Sequence, residues 1–71
     1  MKTTLNNKVK FYRTQQNLTQ AKLGELAGIT RKSVNAIETN RMVPSVILAL
    51  LLANVLNMAV EKLFDIEYTN E

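Results

Sequence analysis

The sequence contains no cysteine, no histidine and no tryptophan, and it has only two glycines and one proline among 71 residues. Without cysteine there is no disulfide and no thiolate chemistry. Without histidine there is no imidazole base and no histidine metal site. The six carboxylates are scattered along the chain, and none forms an obvious acid–base or metal-binding pair. We therefore expect no enzyme activity, no metal and no cofactor.

Long apolar segments are also missing. The longest apolar run is VILALLLA at residues 46–53, which is too short to span a bilayer. The opening MKTTLNNK lacks the apolar core of a signal peptide. These absences predict a cytoplasmic protein that does not associate with a membrane.

What is present suits one small folded domain. Apolar residues make up 46% of the chain, which is enough for a helical core and argues against disorder. A length of 71 residues leaves little room for a second domain. We expect a single domain over residues 1–71, with flexible ends at 1–4 and 68–71.

The net charge of +3 is distributed unevenly along the chain. Through Arg41 there are eight lysines or arginines and two acidic residues, whereas from Met42 onward there are one lysine and four acidic residues. The first part is therefore predicted to carry a surface that binds a polyanion. Uneven charge is common in small domains, so this feature alone does not identify the ligand as nucleic acid.

Residues 19–38 predict two short helices joined by a tight turn. In the first helix Leu23, Leu26 and Ala27 share one apolar face at helical spacing. Gly28 then interrupts the pattern, and glycine adopts positive φ at little cost. The first helix is therefore expected to end at Gly28.

The second helix of this pair has two contrasting faces. Thr30 is a suitable N-cap, because its hydroxyl can accept a hydrogen bond from a free backbone N–H. Val34 and Ile37 face inward, three residues apart. The outer face carries hydrogen-bond donors and cations, namely Arg31, Lys32, Ser33 and Asn35. A helix of this kind fits the major groove of DNA.

This stretch resembles the helix-turn-helix of the Cro and cI phage repressors and of the Xre family of bacterial regulators. The matching residues are Thr19, Gln20, Leu23, Gly24, Leu26, Ala27, Gly28, Ile29, Thr30, Ser33, Val34, Ile37 and Glu38. The resemblance continues with Pro44-Ser45 and residues 61–64, so it covers roughly residues 5 to 66. It implies an all-α, compact, five-helix lambda-repressor-like domain in which helices two and three form the helix-turn-helix.

Other patterns place the remaining helices. Apolar residues at i, i+4 and i+7 from Leu5 predict a first helix that begins near Thr4 or Asn6. A last, short helix is expected near Val60 to Phe64. Three asparagines stand just past predicted helix ends, where a left-handed residue is typical: Asn17, Asn40 and Asn57.

The fourth helix, expected from Val46 to Leu56 after an N-cap at Ser45, is apolar nearly all round. Its expected inward stripe comprises Val46, Leu50 and Ala53, flanked by Ala49 and Leu56. Such a helix is buried on all sides, so either it is central or a partner covers it. The candidate dimer surface comprises Ile47, Leu51, Leu63, Phe64, Ile66 and Tyr68.

The resemblance also implies roles for individual residues. Base-reading positions are Arg31, Lys32, Ser33, Asn35 and Ala36, although Asn35 could instead reach a phosphate. Phosphate-binding positions are Gln20, Thr30, Asn40 and Arg41. Arg13 and Glu38 match a structural ion pair that ties the first helix to the third.

These assignments predict a transcriptional regulator of double-stranded DNA, most simply a repressor. One copy reads few bases, so we expect a homodimer on a near-palindromic operator with half-sites roughly 10 base pairs apart. Two alternatives use the same domain with a protein partner: the antitoxin of a toxin–antitoxin pair, and a phage or mobile-element immunity repressor. A further alternative is a protein-interaction module that has lost DNA binding, against which the cations of the third helix argue.

Overall fold

In the computed structural model, which describes residues 1–70, five helices lie between two terminal strands. The elements are β1 (Lys2–Asn7), α1 (Val9–Gln15), α2 (Gln20–Ala27), α3 (Arg31–Glu38), α4 (Val46–Val55), α5 (Val60–Leu63) and β2 (Phe64–Thr69). The five predicted helices are therefore confirmed. None of the described helices is long and apolar enough to cross a membrane.

The prediction of an all-α fold is wrong in one respect, because β1 and β2 form a two-stranded antiparallel sheet. Lys2 lies opposite Thr69 at one end and Asn7 lies opposite Phe64 at the other. The expected flexible ends, 1–4 and 68–71, fall largely within these strands, while Glu71 lies outside the described residues. The pairing joins opposite ends of the chain, so no local sequence pattern reveals it.

The sheet also moves the start of the first helix. α1 begins at Val9 instead of near Thr4 or Asn6, and both of those residues belong to β1. At the junction, the Lys8 N–H donates to the carbonyl oxygen of Leu63 at 2.9 Å. This bond fixes the point where the strand ends and the helix starts.

The predicted helix ends are confirmed by backbone geometry. The hydroxyls of Thr30 and Ser45 accept backbone N–H groups at the starts of α3 and α4. Gly28 follows α2 with a φ of 76°. The three asparagines past helix ends have φ of 60°, 61° and 56°, in the order Asn17, Asn40 and Asn57.

One apolar core joins the five helices. Its buried members are Val9, Leu23, Ala27, Val34, Ile37, Leu52, Ala53, Leu56 and Leu63. The charged residue Arg13 is buried with them.

The inward stripe of α4 is only partly the one expected. Ala53 and the flanking Leu56 are buried as expected, but Val46 and Leu50 are 76% and 52% exposed, and Leu52 is buried in their place. The true stripe starts at Leu48 and recurs every four residues. Because almost every side chain of this helix is apolar, its sequence offers no polar contrast by which to orient it.

α2 and α3 approach each other closely at Gly24. A Cβ added there would lie 2.7 Å from the carbonyl oxygen of Ile29, which is closer than real Cβ contacts come. A Cβ at this position would therefore force the backbone of the turn to shift. Leu26, expected on the inward face of α2, is instead 51% exposed because the face in contact with the core is set by Leu23 and Ala27.

Replacing Gly28 by alanine is expected to lower the free energy of unfolding by about 1–2 kcal/mol. A Cβ at this position meets no atom within 4 Å, so the loss would come from the left-handed backbone alone. Gly28→Asn should lose less, since asparagine tolerates this conformation. Urea denaturation of the three proteins measures both differences; equal losses for alanine and asparagine would contradict the explanation.

Candidate nucleic-acid interface

α3 is held by its apolar side and leaves its polar side free. Val34 and Ile37 are almost completely buried in the core. At the N-terminus, the Thr30 side chain accepts a hydrogen bond from the Ser33 N–H at 3.1 Å. The helix is thus fixed in position by its cap and its inner face before any ligand arrives.

Two cations stand on the outer side of α3 without protein partners. Arg31 and Lys32 are exposed, and within residues 1–70 neither makes an ion pair or a side-chain hydrogen bond. Lys22 on α2 differs, because its Nζ lies 3.0 Å from Oε1 of Glu25. Arg31 and Lys32 therefore keep all their donors for a ligand.

The Ser33 hydroxyl is oriented by its neighbour. Oγ1 of Thr30 donates to Oγ of Ser33 at 3.1 Å, in addition to accepting the Ser33 N–H. Ser33 thus accepts one hydrogen bond from Thr30 and retains its own O–H for donation to a ligand. Thr30, predicted at a phosphate, already uses its hydroxyl as donor and acceptor within the protein.

Asn35 is connected to the loop that follows α3. Nη2 of Arg41 donates to Oδ1 of Asn35 at 3.0 Å, and Nε of Arg41 donates to Oγ1 of Thr39 at 3.1 Å. The arginine is therefore folded back over the end of the helix. Because Oδ1 of Asn35 accepts from Arg41, the amide nitrogen of Asn35 remains as a free donor.

These groups surround a shallow concave surface on the outer side of α3. It is lined by Thr30, Lys32, Ser33, Asn35, Ala36, Arg41 and Met42. Four of the five predicted base-reading residues lie in this lining, and the fifth, Arg31, stands exposed at the start of the same helix.

The structure brings Arg13 and Glu38 into direct contact beneath this surface. Nε of Arg13 donates to Oε2 of Glu38 at 2.6 Å, and Nη2 donates to Oε1 at 3.2 Å. The Glu38 side chain is only 1% exposed. Nη1 of Arg13 also donates to the carbonyl oxygen of Leu18 at 2.7 Å. A bidentate, buried pair of this kind ties α1 to α3 and to the α1–α2 turn.

Gln20 joins the same cluster. Its Nε2 donates to Oε1 of Glu38 at 3.0 Å, so part of its amide is occupied inside the protein. One N–H of its amide remains for the predicted phosphate contact. Glu38 therefore accepts hydrogen bonds from side chains of both α1 and α2.

The six residues predicted at a dimer surface do not all lie on the surface. Leu63 is completely buried in the core, so it is removed from that set, and Phe64 is half-buried against the core. Ile66 and Tyr68 are exposed on one face of β2, and Ile47 and Leu51 are exposed on α4.

Sequence reasoning missed two residues that support the interface. Thr39 supports Arg41 through the bond already described. Asn7, at the end of β1, donates from Nδ2 to Oδ1 of Asn40 at 2.7 Å. The signal for Asn7 was a short polar residue just before a helical pattern, but the helix start was placed too early to use it.

Comparison with known proteins agrees with this geometry. A profile of the helix-turn-helix family matches residues 9–63. The uncharacterized HTH-type transcriptional regulator YgzD of Bacillus subtilis is 42% identical over 66 residues, which cover 93% of this chain and all of that protein. The uncharacterized HTH-type transcriptional regulator MJ0272 of Methanocaldococcus jannaschii is 36% identical over 63 residues, covering 89% of this chain and 96% of that protein.

The fold and the exposed helix thus define a helix-turn-helix DNA-binding protein. The chain belongs to the Cro/cI-type helix-turn-helix family, the Xre family of transcriptional regulators. Members of this family are generally not enzymes.

Proposed function

We propose that this protein is a sequence-specific regulator that binds a near-palindromic operator as a homodimer and represses transcription. The observation that carries the proposal is the outer side of α3, where two unpaired cations adjoin the concave surface that contains Ser33, Asn35 and Ala36. A groove-binding helix needs an apolar back and a front of free donors, and α3 has both. Repression needs only occupancy of the operator, so no additional activity is required. Such a regulator would act where the DNA is, in the cytoplasm.

Base reading would rest mainly on Arg31 and Lys32. Their free donors suit guanine, which presents N7 and O6 as paired acceptors in the major groove. The free Asn35 amide nitrogen and the Ser33 hydroxyl add two neutral donors nearer the concave surface. Ala36 has only a methyl group, which suits contact with the methyl of thymine.

Contacts to phosphates would position the helix. Gln20, at the start of α2, retains an N–H for this purpose. Arg41 follows α3 and lines the concave surface, and Asn40 precedes Arg41 in the same loop. Contacts of this type fix register and carry no sequence information directly.

Selection from a pool of randomised duplexes tests the proposal. The wild-type protein is expected to enrich one near-palindromic sequence with two half-sites roughly 10 base pairs apart. Binding should weaken with rising salt, since each phosphate neutralised contributes about 0.9 to the logarithmic slope. Recovery of no preferred sequence at any salt concentration would contradict sequence-specific regulation.

The homodimer is supported by apolar surface that the monomer leaves uncovered. On α4, four large side chains are exposed: Val46, Ile47, Leu50 and Leu51. On the sheet, Leu5 lies opposite Ile66, and Leu5 and Val43 line one groove together. Val43 is 75% exposed and belongs to the segment that leads into α4. The apolar face of the sheet therefore lies beside that segment. A self-associating surface of this kind would place two copies of α3 on one duplex.

Ile47→Lys is expected to convert a dimer into a monomer, because a charge would be buried without a partner at the interface. Leu26→Lys is the matched control, since Leu26 is an exposed leucine on α2, outside the proposed interface. Sedimentation equilibrium across a concentration series measures the oligomeric state of both variants, and Leu26→Lys should remain a dimer.

Two results would contradict this dimer surface. One is a wild-type monomer at high concentration that also binds DNA as a single copy, in which case the apolar surface is free for a different protein, as in an antitoxin. The other is dissociation by Leu26→Lys with no change in Ile47→Lys.

A further inference from the structure

Asn7 links the terminal sheet to the loop after α3. Its Nδ2 donates to the carbonyl oxygen of Ile37 at 2.9 Å and to Oδ1 of Asn40 at 2.7 Å. Its Oδ1 accepts the Val9 N–H at 3.3 Å. One side chain thus bonds to the end of α3, to the loop beyond it and to the first turn of α1.

The orientation of the Asn7 amide is fixed by backbone groups. A carbonyl oxygen can only accept, so the atom facing Ile37 must be the nitrogen. A backbone N–H can only donate, so the atom facing Val9 must be the oxygen. The amide therefore cannot turn over without losing both bonds.

This orientation decides which way the Asn40 amide points. The second hydrogen on Nδ2 of Asn7 faces Asn40, so the Asn40 atom in contact must be the oxygen. Its Nδ2 is consequently directed away from Asn7. Asn40 is exposed, has a φ of 61° and donates its backbone N–H to the carbonyl oxygen of Ile37. Because its Oδ1 accepts from Asn7, the free group of its side chain is the amide N–H donor.

We propose that Asn7 is a positioning residue for DNA, which orients the Asn40 amide so that its N–H groups meet a backbone phosphate. The inference rests on the proposed function, because it assigns Asn40 to a phosphate. An amide can offer a phosphate either its nitrogen, which attracts, or its oxygen, which repels. Asn7 selects the attracting orientation before binding.

A double-mutant cycle on the enriched operator tests this role. Asn7→Ala removes the positioning group, and Asn40→Gly removes the amide while tolerating the left-handed backbone. Each variant is expected to bind about tenfold more weakly, the low end for a hydrogen bond to a charged group. The double variant should bind no more weakly than Asn40→Gly alone, since both changes remove the same contact.

A methylphosphonate scan gives a readout that a loss of folding would not produce. Replacing single phosphates by neutral methylphosphonates should weaken wild-type binding at one phosphate in each half-site beside Asn40. That sensitivity should disappear in both single variants, while the preferred sequence stays the same. Asn6→Ala is the matched control, since Asn6 is the exposed neighbour on the opposite face of β1 and should bind as wild type.

Asn7→Asp provides a second, independent variant. A carboxylate only accepts, so it would attract Nδ2 of Asn40 and turn the Asn40 oxygen toward the phosphate. Binding should then fall by more than in Asn7→Ala. Asn6→Asp adds the same charge one residue away and should weaken operator binding far less.

Distinct outcomes separate this inference from the proposed function. Absence of any binding by the wild type would refute both. Specific wild-type binding that Asn40→Gly leaves unchanged would refute the positioning role alone. Losses that multiply to about a hundredfold in the double variant would also refute it, because the free energies of independent contacts add.

Discussion

The double replacement Arg31→Ala and Lys32→Ala is expected to abolish the preference for the enriched operator. The two side chains are exposed and unpaired within residues 1–70, so neither should affect folding. A bidentate contact to a base discriminates by about 1–3 kcal/mol, so the preference should fall by roughly 5- to 150-fold for each base lost. Binding to random duplex should remain. Competition between operator and random duplex measures the ratio.

The salt dependence of the same variant distinguishes base reading from simple attraction. If the two cations contact phosphates, the logarithmic salt slope should fall by roughly 1.8, at about 0.9 for each contact. If they read bases, the preference falls and the slope changes much less. Lys10→Ala plus Lys62→Ala removes the same charge from exposed sites outside α3 and should retain the operator preference. A uniform weakening in the α3 variant, with preference intact, would contradict groove reading.

Glu38→Ala is expected to lower the free energy of unfolding by about 3–5 kcal/mol, because it leaves Arg13 charged, buried and without its partner. Gln20 also loses its hydrogen-bond acceptor. A domain of this length has a total stability of about 4–10 kcal/mol, so this single change would remove much of it. Thermal and urea denaturation followed by circular dichroism measure the loss.

Two further variants assign this loss to burial of the charge. Glu25→Ala breaks the exposed pair with Lys22 and should cost no more than about 1 kcal/mol. Arg13→Met combined with Glu38→Met replaces the buried charges by apolar side chains and should be more stable than Glu38→Ala alone. A double variant less stable than Glu38→Ala would show that the hydrogen bonds, rather than the isolated charge, determine the loss.

The helix-turn-helix could be predicted from sequence because its signals are local. Gly28, Thr30 and the three asparagines act on the backbone within one turn of themselves, and the structure has each of them in the predicted conformation. The spacing of Val34 and Ile37 orients α3 because the residues around them are polar. Each of these features depends on neighbours in the sequence.

The errors in the predicted fold arise where a segment lacks contrast between polar and apolar residues, or where the segment it contacts is distant in the sequence. In α4, an almost continuous apolar sequence gives no preferred face, so Val46 and Leu50 were placed inside. In β1, the spacing of Leu5 and Val9 matches a helix by coincidence, while the pairing of Leu5 with Ile66 is invisible to any short window. The contacts of Asn7 with Ile37 and Asn40 are hidden for the same reason, since these acceptors lie 30 and 33 residues away, and only its contact with Val9 is local.

The sheet also has a kinetic consequence. Its strands close a loop of nearly the whole described chain, whereas the contacts within and between neighbouring helices are short in sequence. Closing a longer loop costs more chain entropy, and long-range contacts slow folding. The helices are therefore expected to assemble first and the sheet last, so its amide hydrogens would exchange with solvent earlier than those of the core. The order of folding would then place the Asn7 contact, and the loop it holds, among the last parts of the molecule to become ordered.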